Sequence, residues 1–187
     1  MRAVSLDRSY PVVREISLIA AFTFLMSMSA YVRVPLFFTP VPLTMQTLIL
    51  FLSIIALKKR AVISQLFYIL LGTAGLPVFT NGGCGILYLA GPTGGYLMGF
   101  LIAAAVFPYL LPKENCLRKN VLFFSAAAIV VYCFGIAWLV LIHRFSFSAA
   151  LIAGFYPFIP GAVIKIALAS FLSLSIRNSA RDYPHRK

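Results

Sequence analysis

Apolar residues are gathered along the chain into six long runs, which alternate with short polar or cationic segments. A helix needs about 20 predominantly apolar residues to cross about 30 Å of hydrocarbon. The first run is predicted to be a transmembrane helix rather than a signal peptide, because its apolar length is full and no A-x-A cleavage site follows it. The pattern predicts transmembrane helices over approximately residues 16–32, 43–57, 61–78, 94–111, 121–142 and 149–176.

The second and third runs are separated only by Lys58, Lys59 and Arg60. So short a connection predicts a tight helical hairpin. The second run is itself short, which predicts that it tilts little or relies on interfacial residues.

The composition agrees with a chain that resides in a bilayer. Of its 187 residues, 61% are apolar or aromatic and only 11% are charged. Such a composition excludes a water-soluble globule. We therefore expect an all-α integral membrane protein in which residues 1–187 form a single six-helix domain, with basic cytoplasmic tails at 1–14 and 177–187.

The positive charges predict the orientation. Sixteen Lys and Arg residues outnumber four acids, for a net charge of +12. The cations stand at the ends of the apolar runs, where membrane topology requires them, so nucleic acid is not an expected partner. Juxtamembrane cations favour the cytoplasmic side, which predicts that both termini are cytoplasmic. The cytoplasmic set is then Arg2, Arg8, Arg14, Lys58, Lys59, Arg60, Lys113, Arg118, Lys119, Arg177, Arg181, Arg186 and Lys187, with Arg33 and Arg144 outside.

The signatures of several catalytic and energy-coupling sites are missing from the sequence. There is no G-x-x-x-x-G-K-[ST] loop, so the chain is not expected to hydrolyse ATP itself. H-E-x-x-H and G-x-S-x-G are absent as well, and no catalytic residue, cofactor or metal site is predicted. All four acids lie outside the apolar runs, which disfavours a proton-driven carrier but leaves sodium coupling open.

The three cysteines are predicted to lie at different depths. Cys84 falls in an outer loop, Cys116 in a cytoplasmic loop and Cys133 in mid-membrane, so they offer no disulfide pair. We expect them to be small apolar fillers rather than metal ligands.

Polar groups follow the proline-rich first outer loop. Pro35, Pro40 and Pro42 stiffen it in extended form. Gln46 comes just inside the next helix, where its amide both donates and accepts hydrogen bonds. From spacing alone, a role in helix capping or helix–helix contact is favoured over a ligand contact.

The second outer segment, residues 75–100, is uncharged and rich in glycine. Irregular backbone survives in lipid only where it is buried in protein or lines a cavity, so we expect this segment to fold over or into the bundle. Its candidate polar contacts are Asn81, Thr93 and Tyr96. Tyrosine at an interface is equally often a simple anchor.

The third outer segment ends in P-F-I-P-G, after which Lys165 stands in an otherwise apolar run. Pro160 and Gly161 favour a helix restart with proline in the first turn. The last crossing then begins near residue 161, and Lys165 lies about one turn below its outer end. An outward-facing cavity with one cation is therefore predicted, suited to a small, mostly neutral solute; snorkelling of the lysine is the alternative.

Four stretches of the chain resemble the BioY family, the biotin-specific S-components (substrate-binding subunits) of energy-coupling-factor (ECF) transporters. They are V-P-L-T-M-Q-T-L (41–48), S-Q-L-F-Y-I-L-L-G-T-A-G-L-P-V-F (64–79), G-P-T-G-G-Y-L-M-G-F (91–100) and P-F-I-P-G-A-V-I-K (157–165). The family commonly has Asp after the Pro-Gly of the last motif, where this chain has Ala162.

The resemblance implies a six-helix S-component fold in the cytoplasmic membrane of a prokaryote, with biotin bound near the outer face. It implies high-affinity biotin uptake powered by a membrane coupling subunit and two ATPase subunits. A stand-alone vitamin carrier of the same fold is the alternative, and a membrane enzyme or a structural subunit is a more distant one. The implied substrate-binding residues are Gln46, Asn81, Thr93, Gly94, Gly95, Tyr96 and Lys165.

The resemblance also implies a coupling surface on the first helix, where small residues recur at a spacing of four. Ser17 with Ala21, and Thr23 with Ser27, have this spacing. Small residues at such spacing are common in any membrane helix.

Overall fold

The computed structural model describes the backbone of residues 4–182 and the side chains of residues 12–178. Within this part the fold is mostly helical, with one short hairpin between the first two helices. The helices are α1 (Val4–Tyr31), α2 (Gln46–Leu57), α3 (Ala61–Thr73), α4 (Ile86–Ala90), α5 (Gly94–Val106), α6 (Leu117–Leu141), α7 (Phe147–Gly154) and α8 (Ile159–Asp182). The hairpin strands are β1 (Arg33–Val34) and β2 (Leu43–Thr44), paired antiparallel with Arg33 opposite Thr44.

Some of the predicted apolar runs form helices long enough to cross a membrane, and others form shorter helices. The helical segments Val12–Tyr31, Leu117–Leu141 and Phe147–Asn178 are long and apolar enough to cross a membrane. At 1.5 Å per residue, α2 and α3 are only about 18 to 20 Å long. Helix α3 ends at Thr73, five residues before the end of its predicted run, because the glycine-rich segment begins there. A mostly helical, membrane-spanning architecture is thus supported, while six crossings remain a prediction.

The helix restart in the last apolar run is confirmed. Helix α7 ends at Gly154, a single 3₁₀ turn covers Tyr156–Phe158, and α8 begins at Ile159. Pro160 therefore lies in the first turn of α8, where its missing N–H would have no helical partner in any case. Lys165 follows six residues after the start of α8, about 9 Å along its axis.

Helix α2 is the centre of the bundle. Eight of its twelve residues are buried, and it packs against α1, α3, α5 and α8. Its buried apolar side chains join those of α5 and α6 in one core. A helix that is apolar on nearly every side is stable only when neighbours surround it, so the short α2 is held by packing rather than by its own length.

Helix α5 lies unusually close to α6. A Cβ built on Gly95 would come within 2.2 Å of Trp138 Cβ, and one on Gly99 within 2.9 Å of Val131 Cα. The glycines therefore allow the two backbones to approach, as small residues do in membrane bundles.

Polar contacts join the segments at the predicted cytoplasmic end. Arg60 pairs with Glu15 at 2.6 Å and Lys119 with Glu114 at 2.8 Å. The hydrogen bond from Lys119 holds the pKa of the exposed Glu114 below its ordinary value. The first pair joins α1 to the α2–α3 turn, and Lys59 of that turn lies 4.8 Å from the ring of Tyr109, which precedes α6, so these segments meet at one end of the bundle.

Candidate functional site

A small cavity lies at the other end of the bundle, between the start of α2, the middle of α3 and the start of α5. Its volume is about 50 Å³. The lining combines hydroxyl and amide groups with aromatic rings, and consists of Val41, Pro42, Thr44, Gln46, Tyr68, Thr80, Tyr88, Thr93, Tyr96, Leu97, Phe100, Tyr132 and Phe158. Such a mixture of apolar walls and a few placed polar groups is typical of small-molecule sites.

Gln46 is the hub of the polar wall. It is only 4% exposed, and its Oε1 accepts hydrogen bonds from the hydroxyls of Thr44, at 3.1 Å, and Thr80, at 3.4 Å. Its Nε2 donates to the hydroxyl oxygen of Tyr68 at 2.7 Å. The amide therefore links α2 to α3 and to the glycine-rich segment while it lines the cavity. The predicted role in helix–helix contact is thus compatible with a ligand contact.

This network decides which polar groups remain for a ligand. The two hydroxyl donors fix the Gln46 amide with its oxygen already occupied. One N–H of Nε2 and the hydroxyl hydrogen of Tyr68 have no partner among the side chains of residues 12–178. The wall thus presents donors to the cavity, which suits a carbonyl or carboxylate oxygen.

The aromatic rings of the wall fall into two groups. Phe79, which is buried and does not itself line the cavity, stacks on the lining residue Tyr88 at a centroid distance of 4.8 Å and meets Tyr68 edge-on at 5.4 Å. On the other side, Phe158 lies 6.4 Å from Tyr96 and 6.3 Å from Tyr132. Flat faces on two sides suit a flat, mainly apolar ligand body.

Glycines on two helices make room for these rings. A Cβ on Gly72 would fall 2.1 Å from Phe79, and one on Gly135 would fall 2.3 Å from Tyr96. The hydroxyl of Tyr96 donates to the carbonyl oxygen of Gly154 at 2.7 Å. Tyr96 therefore offers the cavity its ring rather than its hydroxyl.

Three of the seven residues predicted to bind the substrate line this cavity. They are Gln46, Thr93 and Tyr96. Asn81 has a positive φ of 66° and is exposed, and it is not part of the lining. Its ligand contact remains a prediction.

Gly94 and Gly95 lie in the first turn of α5, on the side that meets α6. A Cβ on Gly94 would come within 1.8 Å of the Leu89 carbonyl oxygen, and one on Gly95 would meet Trp138. Trp138 in turn donates from Nε1 to the carbonyl oxygen of Gly91 at 3.0 Å. The geometry gives these glycines a packing role, and their predicted contact with a ligand remains untested.

Lys165 is buried on the inner face of α8. Its residue is 5% exposed, and Ala162 and Ala169 on the same face are 9% and 0% exposed. No hydrogen bond or ion pair of Lys165 occurs within the part of the chain whose side chains are described. Such burial argues against snorkelling, which would expose the ammonium. The lysine does not line the cavity itself but lies two turns beyond Phe158, which does.

Sequence reasoning missed several lining residues. Tyr68, Thr80, Tyr132 and Phe158 were not singled out, because they stand within apolar runs or between glycines. The hydroxyls of Tyr68 and Tyr132, well inside helices, were the available signal, because polar tips within a membrane span usually face the bundle interior.

The predicted coupling residues of α1 lie on two different faces. Ser17 and Ala21 are exposed, whereas Thr23 and Ser27 are 6% and 4% exposed. Thr23 donates to the carbonyl oxygens of Ile19, at 2.9 Å, and Ser64, at 3.2 Å, which ties α1 to α3. A wide apolar groove of about 640 Å³ runs between these two helices. Ser17 and Ala21 are the exposed pair, Thr23 and Ser27 line this groove, and the coupling role of all four remains a prediction.

Comparisons with known proteins identify close relatives. A family model described as the BioY family matches residues 2–182. The chain is 33% identical over 166 residues to the protein named Biotin transporter BioY from Thermotoga maritima, covering 88% of this chain and 96% of that protein. It is also 33% identical over 174 residues to Biotin transporter BioY from Rhizobium etli, covering 87% of this chain and 92% of the relative.

A solved structure shares the fold. The crystal structure of an S-component for biotin from an ECF-type ABC transporter matches with a TM-score of 0.81 at 24% identity. The match covers 90% of this chain and 93% of that one.

Proposed function

Because this chain belongs to the BioY family, we propose that it binds biotin at the outer end of its bundle and serves as the biotin-specific S-component of an ECF transporter. The observation that carries the proposal is the donor-presenting pair Gln46 and Tyr68 in a cavity with aromatic walls. Biotin is an apolar bicycle with a urea oxygen at one end and a carboxylate at the other. Its chemistry matches a site of ring faces, hydrogen-bond donors and one buried cation nearby.

Lys165 is the proposed partner of the biotin carboxylate. It is a buried cation with no ion-pair partner among the described side chains. Ala162 stands where the family commonly has Asp, so no carboxylate on the preceding turn competes for the ammonium. A buried charge is stabilised mainly by pairing, which a ligand anion would supply.

The topology that we propose has six crossings of the cytoplasmic membrane of a prokaryote, with both termini in the cytoplasm. The support is the cation distribution, the ion pair between Glu15 of α1 and Arg60 of the α2–α3 turn, and the contact of Lys59 in that turn with the ring of Tyr109 before α6. Helices α2 and α3, although short, cross as a hairpin within the surrounding bundle. The described chain has no nucleotide-binding loop, so the energy is proposed to come from a coupling subunit and two ATPase subunits.

Titration of the purified protein with biotin tests the binding proposal. We expect saturable binding of one biotin per chain, and no comparable heat with thiamine or riboflavin at the same concentrations. Mass spectrometry of the co-purifying small molecules should identify biotin. A protein that binds neither added biotin nor any co-purifying biotin would not have the proposed function.

Uptake by cells that cannot synthesise biotin tests the energy source. We expect accumulation of labelled biotin when this chain is produced together with a coupling subunit and its ATPases, and none when an ATPase carries an inactivated nucleotide site. Equal accumulation by the chain alone would show a stand-alone carrier.

A further inference from the structure

Gln65 of α3 is a fully buried amide without a hydrogen-bond partner in the described part of the chain. Its exposed fraction is 0%, and neither Nε2 nor Oε1 has a partner among the side chains and backbone groups around it. Native structures satisfy the large majority of buried polar side-chain atoms. An amide that is unsatisfied at both ends therefore requires a partner that the fold itself does not provide.

Gln65 lies directly beneath the polar wall of the cavity. The buried face of α3 consists of Ala61, Ser64, Gln65, Tyr68 and Gly72. Residues three apart on a helix are neighbours, about 5–6 Å between Cβ atoms. Gln65 is therefore adjacent to Tyr68, which lines the cavity and holds Gln46 by a hydrogen bond of 2.7 Å.

The size of the cavity indicates where a ligand would extend. Small-molecule sites are typically about 300–1,000 Å³, whereas this cavity is about 50 Å³. Side chains must therefore separate to admit a bicyclic solute. Three other buried groups lack partners in residues 12–178. Lys165 lies two turns beyond Phe158, Ser173 lies in the far half of α8, and His143 follows the end of α6. Gln65 alone among them lies within one turn of a residue of the cavity wall on the same helix face.

The two ends of the amide match a cyclic urea. A ureido ring presents an N–H and a C=O side by side, and a primary amide presents a C=O and an N–H in the same arrangement. The two groups form a pair of hydrogen bonds in which each donates once and accepts once. We infer that Gln65 is a ligand-contacting residue that determines specificity, with Oε1 accepting from a ureido N–H and Nε2 donating to the ureido oxygen. This inference rests on the proposed function.

The substitution Gln65→Met tests the role of the amide. Methionine has similar length and helix propensity but removes the donor and the acceptor. Without ligand, we expect the unfolding temperature to stay the same or rise, because an unsatisfied amide is removed. The affinity for biotin should fall at least tenfold in calorimetric titration. Ser53→Ala is the matched control, since Ser53 is also 0% exposed but its hydroxyl already donates to Leu50, and its affinity should be unchanged.

A second variant tests whether the loss of affinity depends on the position of the amide and not only on the methionine side chain. Gln65→Asn keeps a polar amide but withdraws it by one methylene, and it should also weaken biotin at least tenfold. If wild type binds biotin and both variants bind it equally well, Gln65 does not contact the ligand. A lower unfolding temperature with unchanged affinity would assign Gln65 a structural partner and overturn the inference. Absence of biotin binding by the wild type would instead reject the proposed function, and the inference with it.

Discussion

Gln46 at the start of α2 donates to the hydroxyl of Tyr68 in α3, with a distance of 2.7 Å between Nε2 and the phenolic oxygen. Both residues are almost completely buried. The bond joins two helices that are each too short to cross a bilayer unaided. It also fixes the direction of the remaining donors, so one contact serves both the packing of the bundle and the chemistry of the cavity.

Removing the Tyr68 hydroxyl should weaken both functions of this contact. Tyr68→Phe leaves the buried Nε2 of Gln46 without its acceptor, and an unsatisfied buried donor costs about 1–3 kcal/mol. We expect a lower unfolding temperature and an affinity for biotin reduced about tenfold, or about 1.4 kcal/mol. Calorimetric titration and a thermal melt measure the two effects.

The control is Tyr109→Phe at the other end of the protein. Tyr109 is 67% exposed, and its ring is contacted by Lys59 at 4.8 Å. A phenylalanine keeps that ring contact, so stability and affinity should match the wild type. Equal affinity in Tyr68→Phe and Tyr109→Phe would exclude the phenolic hydroxyl from the site.

The sequence was sufficient to predict a helical, membrane-spanning protein and the residue near which the last helix begins. Apolar run lengths depend only on bilayer thickness, and Pro160 with Gly161 predicts the restart that is confirmed at Ile159. Gln46 could be predicted as a site residue because a polar amide just inside a membrane helix stands out against its apolar neighbours. Its hydrogen bonds to Thr80 and Tyr68 were not, because they join residues 34 and 22 positions away.

The glycines show why the remainder of the site was harder to predict. A glycine in a motif is compatible with a ligand approaching the backbone or with another helix doing so. Gly95 meets Trp138, 43 residues further along the chain, and this pairing follows from the packing of α5 on α6. Spacing within a motif carries no information about which partner occupies the space.

Lys165 should increase the affinity for a ligand with a carboxylate but not for the same ligand with an uncharged amide in its place. Lys165→Met removes a buried cation without a described partner, so we expect the ligand-free protein to be at least as stable as the wild type. Affinity for biotin should fall at least tenfold, about 1.4 kcal/mol. Affinity for biotinamide, which has no carboxylate, should hardly change. Titrations of both ligands against both proteins give the four values needed.

Lys59→Met is the corresponding control, because Lys59 is exposed at the opposite end of the bundle, where its ammonium lies 4.8 Å from the centre of the Tyr109 ring. It should leave both affinities unchanged. If Lys165→Met weakens biotin and biotinamide by the same factor, the lysine does not pair with the carboxylate.

Gly95→Ala decides between packing and ligand contact at that position. The new methyl group would lie 2.2 Å from Trp138 Cβ and 2.6 Å from the Phe134 carbonyl oxygen, so α5 and α6 would have to separate. Overpacking of this kind typically costs about 1–3 kcal/mol. We expect a clear fall in the unfolding temperature of the ligand-free protein.

Gly161→Ala provides the comparison, because its methyl group would meet only the movable end of Leu43, at 2.9 Å. Its loss of stability should be smaller. A Gly95→Ala protein that melts like the wild type but binds biotin weakly would restore the ligand-contact role predicted from the motif.

The three cysteines can report the orientation of the chain in the membrane. Cys84 is exposed in the glycine-rich segment, Cys116 is partly exposed immediately before α6, and Cys133 lies within α6. Each is retained alone by replacing the other two with alanine. With cytoplasmic termini, a membrane-impermeant maleimide added to intact cells should label Cys84, and should label Cys116 only after the membrane is permeabilised. Cys133 should stay unlabelled in both conditions, because the thiolate that reacts does not form in hydrocarbon. Labelling of Cys116 but not Cys84 in intact cells would reverse the proposed orientation, and labelling of both from outside would contradict the proposed number of crossings between them.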